Sequence, residues 1–276
     1  ILLQATPTRQ QDRTLTVRDA VDVAARRIDW KLVGQPLVEL ALRETLGRTY
    51  VSLGEYHSAE VQIDRAILLA RQERGAEHAR TLSLLTTRTQ LLRLQGRMGE
   101  AESGARELLE ILTRLRGPDN EDALDVKHLI AALQMEQARP QEAEALIRAV
   151  VALQSRARGA EDPVTLNARN TLGNVWFELG RIEEAEKSHR EVLAIRVRFA
   201  GEDSLDAAYS MNGLASVLRW KGDYAGAEAW LRKIVEFRVR VLGADHPETL
   251  KSQADLALTL SDGGSQEGAA ALGEQV

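Results

Sequence analysis

The sequence predicts an all-α protein, a solenoid of helical hairpins, and three observations carry that prediction. A small residue recurs every 42 positions, at Gly54, Gly96, Ala138, Gly180, Gly222 and Gly264. Five residues after each of the first five stands an alanine followed by glutamate (Ala59, Ala101, Ala143, Ala185, Ala227), and a further glycine column runs through Gly75, Gly117, Gly159, Gly201 and Gly243. The composition is 44% hydrophobic and 28% charged with only six prolines, as helix-rich soluble chains have. Several columns in step at one period mark a stacked array, in which each unit buries its apolar face against the next.

Taken in order, residues 1–13 are polar after Ile1-Leu2-Leu3 and read as a connector. From Thr16 to Leu32 the apolar positions Val17, Ala20, Val21, Val23, Ala24, Ile28 and Leu32 fall mostly three and four apart, which predicts an amphipathic helix. Gly34-Gln35-Pro36 ends it, and Pro36 suits the first turn of the next helix. Thus 1–34 forms an entry segment, 35–262 the array (five full units plus a sixth first helix), and 263–276 a weak tail with few large apolar residues.

Within each unit a first helix (A) and a second (B) are expected. The A helices fall at 36–53, 79–95, 121–137, 163–179, 205–221 and 247–262, the B helices at 56–73, 98–115, 140–157, 182–199 and 224–241. The column glycines between A and B can take the left-handed conformation that closes a helix. At Ala138, where the column lacks glycine, Pro140 is expected to supply the stop. The loops Glu161-Asp162-Pro163 and Asp245-His246-Pro247-Glu248 set a carboxylate near the free N–H groups of the next A helix, with proline at its first position.

The A helices share a small-residue column, Gly47, Thr89, Ala131, Gly173, Ala215 and Ala257. One residue earlier stand Leu46, Ile130, Leu172, Leu214 and Leu256, with Arg88 the exception. Three residues later come Tyr50, Leu92, Trp176, Leu218 and Leu260, with Gln134 the exception. Small residues on a buried face admit a neighbouring backbone, so Gly173→Leu should overpack the A/B contact at a cost of about 1–3 kcal/mol.

These residues resemble the tetratricopeptide repeat, whose hairpin carries Leu-Gly/Ala in helix A, a Tyr-like residue three later, then Gly, Tyr and Ala into helix B. Here they are Leu172-Gly173, Trp176, Gly180, Ile182 and Ala185, and again Leu214-Ala215, Leu218, Gly222, Tyr224 and Ala227. The 42-residue unit and the loop from Leu242 to Leu250 (Leu-Gly-Ala-Asp-His-Pro-Glu-Thr-Leu) resemble the kinesin-light-chain type of repeat. The resemblance implies a right-handed superhelix whose A helices line a concave groove for a peptide or partner helix. Ile1-Leu2-Leu3, the turn at Thr6-Pro7, Leu-Thr-Val-Arg-Asp-Ala-Val at 15–21, Ala-Ala-Arg-Arg-Ile-Asp at 24–29, Gly34-Gln35-Pro36 and Leu-Gly-Arg-Thr-Tyr at 46–50 make residues 1–56 similar to the entry into the repeat tail of bacterial transmembrane serine/threonine protein kinases, which would make a longer parent chain an enzyme. The start at Ile1 rather than Met fits a piece of something longer.

By column, the family's groove positions fall on Asn167, Asn170, Asn174 and Phe177 in the fourth unit, and on Tyr209, Asn212, Arg219 and Trp220 in the fifth. The third unit supplies Asp125 and His128; earlier units supply Glu44, Arg48, Ser83, Thr86, Gln90 and Arg93. An amide both donates and accepts, so Asn170, Asn174 and Asn212 are expected to clamp a partner backbone while Phe177 and Trp220 supply apolar contact. The competing reading makes them ordinary surface amides and aromatics half-buried between units.

Other chemistries find little support. No cysteine is present, which removes disulfides, thiolate metal sites and cysteine nucleophiles. The five histidines, His57, His78, His128, His189 and His246, lack ligand spacing, so neither a metal nor a cofactor is expected. The serines lie outside any nucleophile-elbow motif, and no kinase glycine loop, His-Arg-Asp or Asp-Phe-Gly occurs. A net charge of −5, with acidic neighbours beside Arg26-Arg27 and Arg238, speaks against nucleic acid. No apolar run approaches the roughly 20 residues of a membrane span. The expected partner is a protein or peptide, with self-association through the C-terminal end as a further reading, and a cytoplasmic module, or one tethered through an upstream segment, as its setting.

Overall fold

The computed structural model describes residues 16–31 and 34–265. Among these residues it contains twelve helices and no strand. An entry helix, α1 (Val17–Lys31), precedes the A helices α2 (Pro36–Ser52), α4 (Ala79–Leu94), α6 (Glu121–Glu136), α8 (Pro163–Glu178), α10 (Leu205–Trp220) and α12 (Pro247–Asp262). The B helices are α3 (Tyr56–Arg74), α5 (Met98–Arg116), α7 (Pro140–Arg158), α9 (Ile182–Ala200) and α11 (Tyr224–Leu242). Every expected helix within the described residues is present, each end within one residue of its expected place. The connector at 1–13 and the tail from 266 onward lie outside the described residues.

The turns follow the backbone physics of the glycine column, with one instructive departure. Gly180 takes φ +74°, its N–H donates to the Phe177 carbonyl, and the Arg181 N–H donates to the Trp176 carbonyl at 2.8 Å. Ala138 was expected to hand the stop to Pro140. Instead it adopts the same left-handed turn, φ +56°, with Arg139 N–H bonded to the Gln134 carbonyl at 2.8 Å, and α7 then starts at Pro140. Two closing hydrogen bonds outweigh the steric cost of a Cβ in that conformation. The helix starts carry the expected proline and carboxylate, with Glu248 in the first turn of α12, and the N-cap acceptors are of two kinds. Asp162 Oδ1 accepts from Val164 N–H at 2.9 Å, but before α12 it is His246 Nδ1, not the Asp245 carboxylate, that accepts from Glu248 N–H at 3.2 Å. His78 caps α4 in the same way, so both histidines of that loop column are helix caps.

The chain divides into two compact units, 1–133 and 134–276. In the first, Leu40, Ile63, Ala66, Ile67 and Leu84 form one cluster, and Ile28, Leu46, Tyr50, Ala59 and Leu91 another. The Tyr50 hydroxyl donates to Asp22 at 2.7 Å, tying α1 to α2; burial, with the Asp22 carboxylate beside it, pushes that phenol up to about 12. A Cβ at Gly47 would lie 2.6 Å from Ile63 Cδ1, so the small-residue column is where helix A and helix B touch. In the second unit Met211, Leu214, Leu218, Leu231, Ile234, Phe237 and Leu256 form one cluster, joined by Ala207, Ala208, Ala215 and Ala227.

Candidate functional site

The faces built by the A helices carry the expected partner contacts, and each unit arranges its own differently. In the first unit, α4 and α6 flank a cavity of about 530 Å³ with α5 as its floor. Ser83, Thr86 and Gln90 of α4 and Asp125 of α6, all at expected groove positions, line this one cavity. Its floor is apolar, from Leu82, Leu108, Leu112, Val126 and Leu129. Arg48 lies away from it, exposed and ion-paired with Glu44 at 3.1 Å, and Glu44 also accepts from Arg80 at 3.0 Å, linking α2 to α4. Arg93 is exposed near the end of α4. His128 is half-buried on α6, and burial holds its imidazole below the ordinary histidine range.

In the second unit the asparagines separate into two groups. Asn170 does not offer its amide outward. It is 9% exposed, its Oδ1 accepts from the Ser210 hydroxyl at 3.2 Å, and it stands 3.3 Å from His189 Nδ1. Asn167 is exposed, yet its Oδ1 accepts from Arg196. Asn174 is exposed on α8 and Asn212 half-buried on α10. Phe177 packs partly against Ile182, Ala185 and Val217. Tyr209 is half exposed with its ring 5.6 Å from the Arg238 guanidinium; Arg219 is ion-paired with Asp262 at 2.7 Å; Trp220 is 64% exposed at the end of α10.

A buried polar seam organises this wall, and sequence reasoning missed it. Arg196 of α9 is buried; its Nη1 donates to the Asp206 carbonyl at 2.7 Å and to Ser210 Oγ at 2.8 Å, and its Nη2 donates to Asn167 of α8. One guanidinium thus bridges successive A helices. Desolvation lowers its pKa, partly offset by Asp206. Arg238, 42 residues on, repeats the device with the Glu248 carbonyl at 2.9 Å and Ser252 Oγ. The signal was present in the period: Gln154, Arg196 and Arg238 form one column, Ser210 and Ser252 another.

Behind the seam sits His189, fully buried between two glycine backbones. A Cβ at Gly173 of α8 would lie 2.8 Å from its Cε1, and one at Gly213 of α10 would lie 2.4 Å from it. Its column otherwise holds Ile63, Ala105, Ile147 and Leu231, and Gly213 stands where other units have Thr45, Thr87, Leu129, Thr171 and Asp255. The two departures from the repeat meet in space, one supplying a flat ring and the other the room for it. His189 Nε2 has no hydrogen-bond partner, and burial with Arg196 nearby pushes the imidazole down to about 4.

Two family profiles, both described as tetratricopeptide repeat, match residues 40–80 and 207–248 and residues 122–198, together more than half of the chain. The chain belongs to the tetratricopeptide repeat family. That family is a non-catalytic scaffold family, and its members bind protein or peptide partners. No curated protein matches this tetratricopeptide chain by sequence. Among solved structures, a set of nearly identical TPR-like repeats from Podosopora anserina, named after the kinesin light chain, shares 20% identity, with 74% of this chain and 96% of that one covered and a TM-score of 0.59. BtubC (BKLC) from P. vanneervenii shares 20% identity over 78% of this chain and 87% of its own, with a TM-score of 0.61. A Rap protein complexed with Competence and Sporulation Factor shares 14% identity over 94% and 78%, with a TM-score of 0.64. At these identities the likeness is one of fold: an all-α solenoid of tetratricopeptide hairpins. No described helix is long and apolar enough to cross a membrane.

Proposed function

We propose that this array is a protein-interaction scaffold that holds a segment of a partner polypeptide on its A-helix face. The observation that carries the reading is the cavity between α4 and α6, where Ser83, Thr86, Gln90 and Asp125 come together over a leucine-rich floor. Its volume of about 530 Å³ lies in the range of roughly 300–1,000 Å³ usual for ligand sites, and an apolar base with a few convergent polar groups is the usual design of such sites. In the second unit Asn174 and Asn212 offer amides for an extended backbone, with Trp220 as apolar contact. Asn167 and Asn170 support the wall rather than grip the partner, because Arg196 and Ser210 already engage their oxygens.

The test is selection of binding peptides from a random display library, followed by hydrogen-exchange mapping of the complex. Protection concentrated on α4, α6, α8 and α10 supports the proposal. Protection confined to the B helices, or binding unchanged by Gln90→Trp and by Asn174→Ala with Asn212→Ala, refutes it.

A further inference from the structure

A second crevice, of about 400 Å³, opens in the first unit where the B helices α3 and α5 flank α4. Three of its lining residues depart from the repeat. Leu68 of α3, 50% exposed, stands in the column of Glu110, Ala152, Ala194 and Glu236. Leu85 of α4, half-buried, holds the place that Arg43, Lys127, Arg169, Met211 and Gln253 take elsewhere. Gly104 of α5 replaces Gln62, Leu146, Ser188 and Trp230. A glycine inside a helix weakens it, and packing asks for none here. A Cβ at Gly104 would meet only Thr89 Oγ1, at 3.4 Å. The polar groups around this opening are already engaged. Arg88 Nε donates to Asp64 Oδ1 at 2.7 Å, Arg71 and Glu107 approach to 4.0 Å, and Thr89 Oγ1 donates to the Leu85 carbonyl at 3.0 Å. The fifth unit shows what suits such a place. There the column of Gly104 holds Trp230, which packs partly buried against the cluster containing Leu193 and Met211, the counterparts of Ile67 and Leu85.

We propose that the crevice between α3 and α5 docks a bulky apolar side chain, tryptophan or leucine, carried by a helix of a protein partner. The partner supplies here what the fifth unit supplies from its own chain with Trp230. The lining selects that chemistry. Ile67, Leu68 and Leu85 offer apolar surface, and the two cations and two carboxylates of the rim close on one another. A charged side chain would lose water with no spare counter-charge to meet it. Gly104 carries no side chain, so the backbone of the partner helix can come close to α5. This surface lies on the B helices and does not rest on the groove reading above.

The probes are four acetylated, amidated alanine-based helical peptides with tryptophan, leucine, lysine or glutamate at one central position. They are titrated into the full chain while NMR follows the methyl resonances of Leu68 and Leu85. The tryptophan and leucine peptides are expected to move those resonances and to bind about tenfold tighter than the other two, the worth of burying part of one apolar side chain. Gly104→Trp, which fills the crevice from within, should abolish that binding while the urea midpoint holds or rises. Leu68→Glu, which restores the column residue at an exposed position, should abolish it in a chain as stable as the native one, and it decides the matter if Gly104→Trp fails to fold. Binding of none of the peptides, equal binding of all four, or an apolar preference that survives either substitution in a folded chain overturns the proposal.

Discussion

Acidification should loosen the second unit through one side chain, His189. In the folded chain its imidazole sits at about 4, against an ordinary 6.5, because it is buried between Gly173 and Gly213 with Arg196 as the charged neighbour. From α8 it meets the neutral Asn170 and Gly173, and from α10 the neutral Gly213. Between pH 6.5 and 4 the unfolded chain binds a proton here that the folded chain refuses, so stability falls as pH falls across that window and levels off below it. A gap from 6.5 to about 4 corresponds to about 3 kcal/mol in full, and to about 2 kcal/mol of it by pH 5.

The assay is urea unfolding at pH 7 and pH 5 for the native chain and for His189→Leu, which installs the residue of the Leu231 column. His128 and the ion-paired carboxylates titrate in both proteins, so the difference between the two pH dependences isolates His189. The native chain should lose about 2 kcal/mol more than the variant between those pH values. Equal losses would refute the reasoning, as would an imidazole resonance of His189 titrating near its ordinary value.

Three further outcomes follow from the packing and the turns. Gly213→Ala places a Cβ 2.4 Å from the His189 ring and should cost about 1–3 kcal/mol in thermal or urea unfolding, a loss that His189→Ala in the same chain should largely relieve. Ala138→Gly, at φ +56°, should stabilise by up to about 1 kcal/mol, since glycine takes the left-handed turn without a Cβ clash; an unchanged midpoint would show the strain to be absent. Asp162→Ala removes the cap on Val164 N–H and should cost about 1 kcal/mol, read as a lowered unfolding midpoint.

The sequence by itself determined the hairpins. Glycine, alanine and leucine columns repeating at 42 residues specify where each helix starts, stops and buries its face, because those requirements are local in the chain or set by the adjacent unit. The family resemblance, carried over column by column, also picked out Ser83, Thr86, Gln90 and Asp125, which line one cavity between α4 and α6. Tertiary structure decided what those residues do. Whether an asparagine at such a position grips a partner or braces a wall depends on which donors arrive from helices distant in sequence. Arg196 and Ser210 claimed Asn167 and Asn170, while Asn174 stayed exposed. The His189 cradle belongs to the same class, because its two glycines lie 40 residues apart and their common purpose appears only when α8 and α10 close on one ring.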